Sequence, residues 1–162
     1  MILLGIDPGL THTGWGLITC TTNQLSFIAC GTISPSPKLE ISVRLKMLHD
    51  ELTKVIALYK PAESAIEETF VNKNAASSLK LGQARGALIL SLSLAGLPVY
   101  EYSTNLVKKS VVGNGHADKA QIGMMVKTLL PKSDAKSEDA ADALAVAIAH
   151  AHHRNTKKWT GA

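Results

Sequence analysis

The apolar positions follow two different periods along the chain. Residues 2–8 (ILLGIDP) are almost wholly apolar, as a strand buried on both faces is. Residues 14–20 (GWGLITC) and 25–33 (LSFIACGTI) follow closely enough to form a meander with the first strand. Residues 39–59 then place Val43, Leu48, Leu52, Val55, Ile56 and Tyr59 along one stripe, which predicts an amphipathic helix ended by Pro61. ESAIEETF (63–70) and LPVYEY (97–102) predict a fourth and a fifth strand. Between them lie the polar stretch VNKNAASS and a helix with the small-residue face Gly82-x-x-x-Gly86. Helices over about 103–112 and 117–130 follow, and the last helix, from about 137 to 151, is apolar almost all round. Three meander strands and then alternating helices and strands imply a mixed α/β sheet. One domain is expected over residues 1–152, with 153–162 as a basic, flexible tail.

Composition narrows the class. The chain has 162 residues, of which 46% are hydrophobic and 19% charged, enough for one domain with a real core. Its longest apolar run (86–99) is shorter than the roughly 20 residues of a membrane span and is broken by serines and Pro98. The opening MILLGIDPG has neither the basic region nor the cleavage site of a signal peptide, so a soluble, cytoplasmic protein is expected. If TTNQ turns a hairpin near Thr22–Asn23, Cys20 pairs with about position 25 and Cys30 with about 15, and no disulfide forms. The charge is unevenly spread: residues 1–68 hold 5 basic and 7 acidic groups, residues 69–162 hold 12 and 6. A basic half suits a polyanion such as nucleic acid, although a solubility surface has the same charge.

The carboxylates are more specific. Asp7 ends the first strand, where Asp-Pro-Gly is also good turn chemistry. Glu67 and Glu68 end the fourth strand and point to opposite faces, so at most one can join a shared site. If strands one and four are parallel neighbours, Asp7 and one of these glutamates meet at the carboxyl edge of the sheet, where open α/β sheets carry their sites. Asp139 and Asp142 share a face of the last helix. Asp139 and Glu138 suit a helix N-terminus, but Asp142 lies in AADALAVAIA without a basic neighbour along the helix. A buried carboxylate needs compensation from elsewhere, and an all-oxygen cluster suits a hard cation such as Mg²⁺ or Mn²⁺. His150, His152 and His153 crowd a helix C-terminus, where imidazolium complements the dipole, and no cysteine stands near to complete a zinc site.

These motifs resemble a known family. GIDPG (5–9), TGWG (13–16), AIEETF (65–70), KNAASSLKLGQARG (73–86), YEY (100–102), VKKSVVGNGHADKAQ (107–121) and EDAADALAVAIAHA (138–151) are similar, in order and almost end to end, to the RuvC family of bacterial Holliday-junction resolvases. The resemblance implies a ribonuclease-H-like fold with a five-stranded mixed sheet, antiparallel in strands 1–3 and parallel in strands 4 and 5, flanked by helices. It implies a homodimer that acts on four-way junction DNA by paired symmetric nicks, with the RuvA–RuvB branch-migration complex as a further partner. It implies two Mg²⁺ ions per site, Mn²⁺ substituting, held by Asp7, Glu67, Asp139 and Asp142, and it selects Glu67 over Glu68. Lys108 and Lys119 look like the lysines that contact the scissile backbone, with Lys119 also catalytic; the residues alone do not separate them from Lys109 or Lys127. Phe70 resembles an aromatic that stacks at the junction centre, with a cap on the core as the lesser alternative. Lys73, Lys80 and Arg85, in the motif after it, are implied DNA contacts. An RNA-processing nuclease of the same fold and a non-catalytic junction-binding module are the alternative readings. An actin-like ATPase needs a second lobe that 162 residues cannot hold.

Overall fold

The computed structural model describes residues 1–22, 24–69 and 74–156. Five strands, β1 (Ile2–Asp7), β2 (Thr13–Thr21), β3 (Gln24–Ile33), β4 (Glu63–Glu67) and β5 (Val99–Tyr102), form one sheet in the order β3-β2-β1-β4-β5. The pairs β1–β2 and β2–β3 are antiparallel, while β1–β4 and β4–β5 are parallel. The expected mixed sheet is therefore present, with β1 at its centre. Among the described residues, five helices flank it: α1 (Ile41–Tyr59), α2 (Ala75–Leu94), α3 (Thr104–Val112), α4 (Lys119–Leu129) and α5 (Glu138–His153). The fourth strand stops at Glu67, three residues short of the expected end.

Each face of the sheet has its own core. Leu4, Ile6, Leu17, Ile33 and Ile66 pack under α1 and α2. Leu3, Ile18, Ala65 and Tyr102 pack under α3, α4 and α5. Because side chains alternate, β1 sends Leu3, Gly5 and Asp7 toward α5, and β4 sends Glu63, Ala65 and Glu67 the same way. In α1 the buried stripe is Arg44, Leu48, Leu52 and Ile56, while Val43 is exposed. The expected stripe was thus offset by one position at its start, because an apolar pattern cannot register an arginine that turns inward. Cys20 pairs with Leu25 as expected, but Cys30 pairs with Gly16 because the register shifts between Leu17 and Ile18. Both cysteines are free.

Glycines let α5 lie directly on the sheet. A Cβ at Gly5 would stand 2.2 Å from the Ala143 carbonyl oxygen, and one at Gly14 would stand 1.9 Å from that of Asp139. Ser137 caps α5 through the amide of Ala140 and also bonds Thr32 of β3 (2.7 Å), which pins the start of the helix. Gly14→Ala should therefore force α5 off β2 at a cost of about 1–3 kcal/mol, lowering the melting temperature by roughly 2–4 °C per kcal/mol. A melting curve unchanged by Gly14→Ala would refute the close packing.

The other end of α5 is anchored as well. His150 is fully buried and does not merely complement the helix dipole. Its Nε2–H donates to Glu63 Oε2 (3.0 Å), and its Nδ1 shares a hydrogen bond with the Tyr102 hydroxyl (2.9 Å). Arg154 closes the group by donating to both Glu63 oxygens, at 2.9 and 2.5 Å. The helix thus continues to His153, and Arg154, the second residue of the expected tail, is held to β4.

Candidate active site

Asp7, Glu67 and Asp142 line one cavity of about 260 Å³ at the carboxyl edge of the sheet, together with Thr104, Lys108 and Lys119. Val107, Ile122 and Ala145 form its apolar wall. Each acid arrives from a different element. Asp7 ends β1, Glu67 ends the parallel neighbour β4, and Asp142 lies one turn into α5. Asp139, one turn earlier, is outside the cavity lining but close enough for its charge to act on both Asp7 and Asp142.

The electrostatics are those of crowded, partly buried carboxylates. Burial, reinforced by Glu67, Asp142 and Asp139, pushes Asp7 up to about 8 from its ordinary 3.8. Burial likewise raises Glu67, against a hydrogen bond from Thr104 and the charges of Lys108 and Lys119. Asp142 is raised by burial and lowered by Lys119, whose ammonium lies 3.9 Å from it. Lys119 also donates to Glu138 (3.0 Å), and that bond with the Asp142 charge raises its own pKa. The cation that α5 cannot supply along its own length therefore comes from α4, whose start is fixed by a capping box between Asp118 and Gln121.

The donor set is oxygen throughout, and burial, reinforced by the charges of three carboxylate neighbours, disfavours the ionised form of Asp7. That chemistry fits a hard divalent ion such as Mg²⁺. Among the described residues, no three acidic, histidine or cysteine side chains already stand grouped in a ligating arrangement.

The remaining predicted residues divide. Lys108 and Lys119 reach the cavity. Lys80 stands exposed on α2. Arg85 is engaged within the protein: its Nε donates to the Glu67 carbonyl (3.2 Å) and its Nη2 pairs with Glu101. Glu68 does not line the cavity; its amide bonds the Tyr102 carbonyl. Phe70 and Lys73 lie outside the described residues. Sequence reasoning missed Thr104, which donates to Glu67 Oε1, and the pairing of Glu138 with Lys119. Thr104 follows the cap residue Ser103, and nothing in STNL distinguishes a helix start from a site residue.

Residues 3–150 match the family model described as crossover junction endodeoxyribonuclease RuvC. Relatives bearing that name include one from Rhodopseudomonas palustris (strain TIE-1), 59% identical over 94% of this chain and 87% of its own length. Another, from Methylorubrum extorquens (strain PA1), is 57% identical over 94% of this chain and 80% of its own. Among solved structures, Thermus thermophilus RuvC in complex with a Holliday junction substrate superposes with a TM-score of 0.88 at 32% identity, covering 95% of this chain and 94% of that one. The yeast mitochondrial Holliday junction resolvase Ydc2 shares the fold, with a TM-score of 0.63 at 13% identity over 94% and 83% of the two chains.

Proposed function

The chain belongs to the RuvC family of crossover junction endodeoxyribonucleases, and on that premise we propose that it resolves four-way DNA junctions by hydrolysing phosphodiester bonds at the Asp7–Glu67–Asp142 cavity. The observation that carries this reading is the convergence of acids from β1, β4 and α5 at one edge, with Asp7 raised by burial and by three carboxylate neighbours. Asp7, Glu67, Asp139 and Asp142 would hold Mg²⁺, two ions per site, with Mn²⁺ as a substitute. Bound there, a divalent cation supplies Lewis acidity toward a phosphoryl oxygen and lowers the pKa of water.

The chain's own groups do the rest. The Thr104 hydroxyl fixes one oxygen of Glu67, so that the other is free to turn toward the cavity. Lys119, with its pKa raised, stays cationic and stabilises charge building up on the phosphate. Lys108 faces the same cavity and positions the backbone by charge. Arg85 braces β4 against β5 through Glu101, a duty that a DNA contact would interrupt. Lys73 and Lys80 remain candidate phosphate contacts, and Phe70 a candidate stacking residue at the opened crossover.

A homodimer suits this substrate, since a two-fold junction presents two matching phosphates and a two-fold dimer two matching sites. A Cβ at Gly82 or Gly86 would meet nothing within 4 Å, so that stripe of α2 is open to a second copy. Family membership supports RuvA–RuvB as a partner and the bacterial cytoplasm as the setting. Among the described residues, no helix is long and apolar enough to cross a membrane. The test uses a synthetic four-way junction, the matching duplex and a structured RNA, each in Mg²⁺ and in EDTA. Paired nicks on the junction in Mg²⁺ alone are expected. Equal cutting of duplex or RNA, or cutting in EDTA, would overturn the assignment.

A further inference from the structure

Arg44 is the anomaly of the core beneath α1 and α2. It is 8% exposed, and a guanidinium does not lose its charge inside a protein. Its Nη2 donates to the Leu10 carbonyl at 3.0 Å, while its buried Nε has no hydrogen-bond partner among the described residues. None of the ion pairs formed among those residues includes it. A buried, uncompensated cation is costly unless an anion completes it.

The surroundings indicate which anion. Arg44 lines a surface cleft of about 270 Å³ with Leu10, Thr11, Ser77, Lys80 and neighbouring apolar groups. Thr11 and Ser77 offer hydroxyls, and Lys80 a second cation; none of the lining residues is acidic. Ser77 and Lys80 lie in the first two turns of α2, where the helix dipole favours negative charge. A cleft with two cations, two hydroxyls and no carboxylate matches a phosphate group.

Its place in the fold indicates where that phosphate comes from. Leu10 and Thr11 follow Asp7 by three and four residues, and α2 is the helix that follows Glu67 in the chain. The cleft therefore lies beside the same sheet edge as the carboxylates, on the α1–α2 side, whereas the acids face α5. We infer that the Arg44–Ser77–Lys80 cleft is a second phosphate site, which grips a backbone phosphodiester of the same DNA whose scissile bond enters the carboxylate cavity. This rests on the junction-nuclease reading above.

Replacing Arg44 risks the fold, so the test is placed at Ser77, an exposed residue at the third helical position of α2. Glutamate is well tolerated at that position of a helix, and there its carboxylate would occupy the place of the phosphate. Junction binding would be measured in EDTA, across a range of salt, for wild type, Ser77→Glu and Ser77→Gln, with melting curves for all three. Ser77→Glu should keep its melting temperature, bind about tenfold more weakly and flatten the slope of log affinity against log salt by about one. Ser77→Gln, as long as glutamate but uncharged, gives up only the Ser77 hydroxyl and should bind about threefold more weakly than wild type with its salt slope unchanged. Wild-type protein that binds no junction would overturn the nuclease reading and the cleft with it. Junction binding left intact by Ser77→Glu, or weakened equally by Ser77→Gln, would overturn the cleft alone.

Discussion

Asp7→Asn is expected to abolish junction cleavage while raising the melting temperature of the metal-free protein. The two effects share one cause. In the unfolded chain Asp7 ionises near its ordinary 3.8, whereas in the fold burial and its carboxylate neighbours push it up to about 8. Folding therefore takes up a proton between those values, and the stability that Asp7 permits falls as pH rises from about 4 to about 8. Glu67 and Asp142 are raised too and contribute in the same direction. Asparagine has the shape of the protonated acid and removes that penalty, so the variant should be more stable at pH 7 in EDTA and less sensitive to pH. Each kcal/mol relieved should appear as roughly 2–4 °C. If Asp7 holds the cation as proposed, the same change removes one of its charged oxygens, and the nicking rate should drop by about a thousandfold or more. Melting curves at several pH values, beside nicking assays in Mg²⁺, read both effects. A variant that nicks normally, or that melts lower than wild type in EDTA at pH 8, would contradict the account.

Lys119→Met should slow cleavage by about a hundredfold and leave junction binding within about tenfold. The lysine stands between Glu138 and Asp142, at 3.0 and 3.9 Å, with its pKa raised. It is thus held as a charge and is poorly suited to release a proton near neutrality. Methionine keeps the length of the side chain and removes only the charge. Because phosphate contacts elsewhere supply most of the affinity, the salt slope should flatten by no more than about one. A rate close to that of wild type would move the stabilising charge elsewhere, and Lys108 is the cavity residue placed to carry it.

Much of the architecture was legible because its signals are periodic. The apolar β1, the meander and the nearly all-apolar α5 each announced themselves through a repeat that burial imposes. The glutamate pair shows where local reasoning stops. Strand alternation separates Glu67 from Glu68 but cannot say which face holds α5, and that is set by Ala65 packing into the α3–α5 core. Asp142 was legible as a residue needing compensation, yet a compensating cation is Lys119 on another helix, which no spacing along α5 could reveal. Gly14 reads as part of a strand, and its function of admitting the Asp139 backbone exists only once the helix is in place. His150 and Arg44 were missed for a common reason: a polar residue that is buried by tertiary partners leaves no mark in a pattern of apolar positions.

The anchoring of α5 has a consequence for how the acids are spaced. At one end Glu63 of β4 holds His150 and Arg154, and at the other Glu67 of β4 shares a cavity with Asp142. From Glu63 to Glu67 is four strand steps of roughly 3.3 Å, and from Asp142 to His150 is eight helical steps of roughly 1.5 Å. Strand and helix run in opposite directions over nearly the same length, roughly 12–13 Å. They behave as the two legs of a calliper, closed at the histidine and set to a fixed gap at the aspartate. One residue inserted in α5 between Asp142 and His150 would lengthen one leg and turn Asp142 about the helix axis by roughly 100°. The distance between the strand acid and the helix acid is therefore governed by a contact at the far side of the domain.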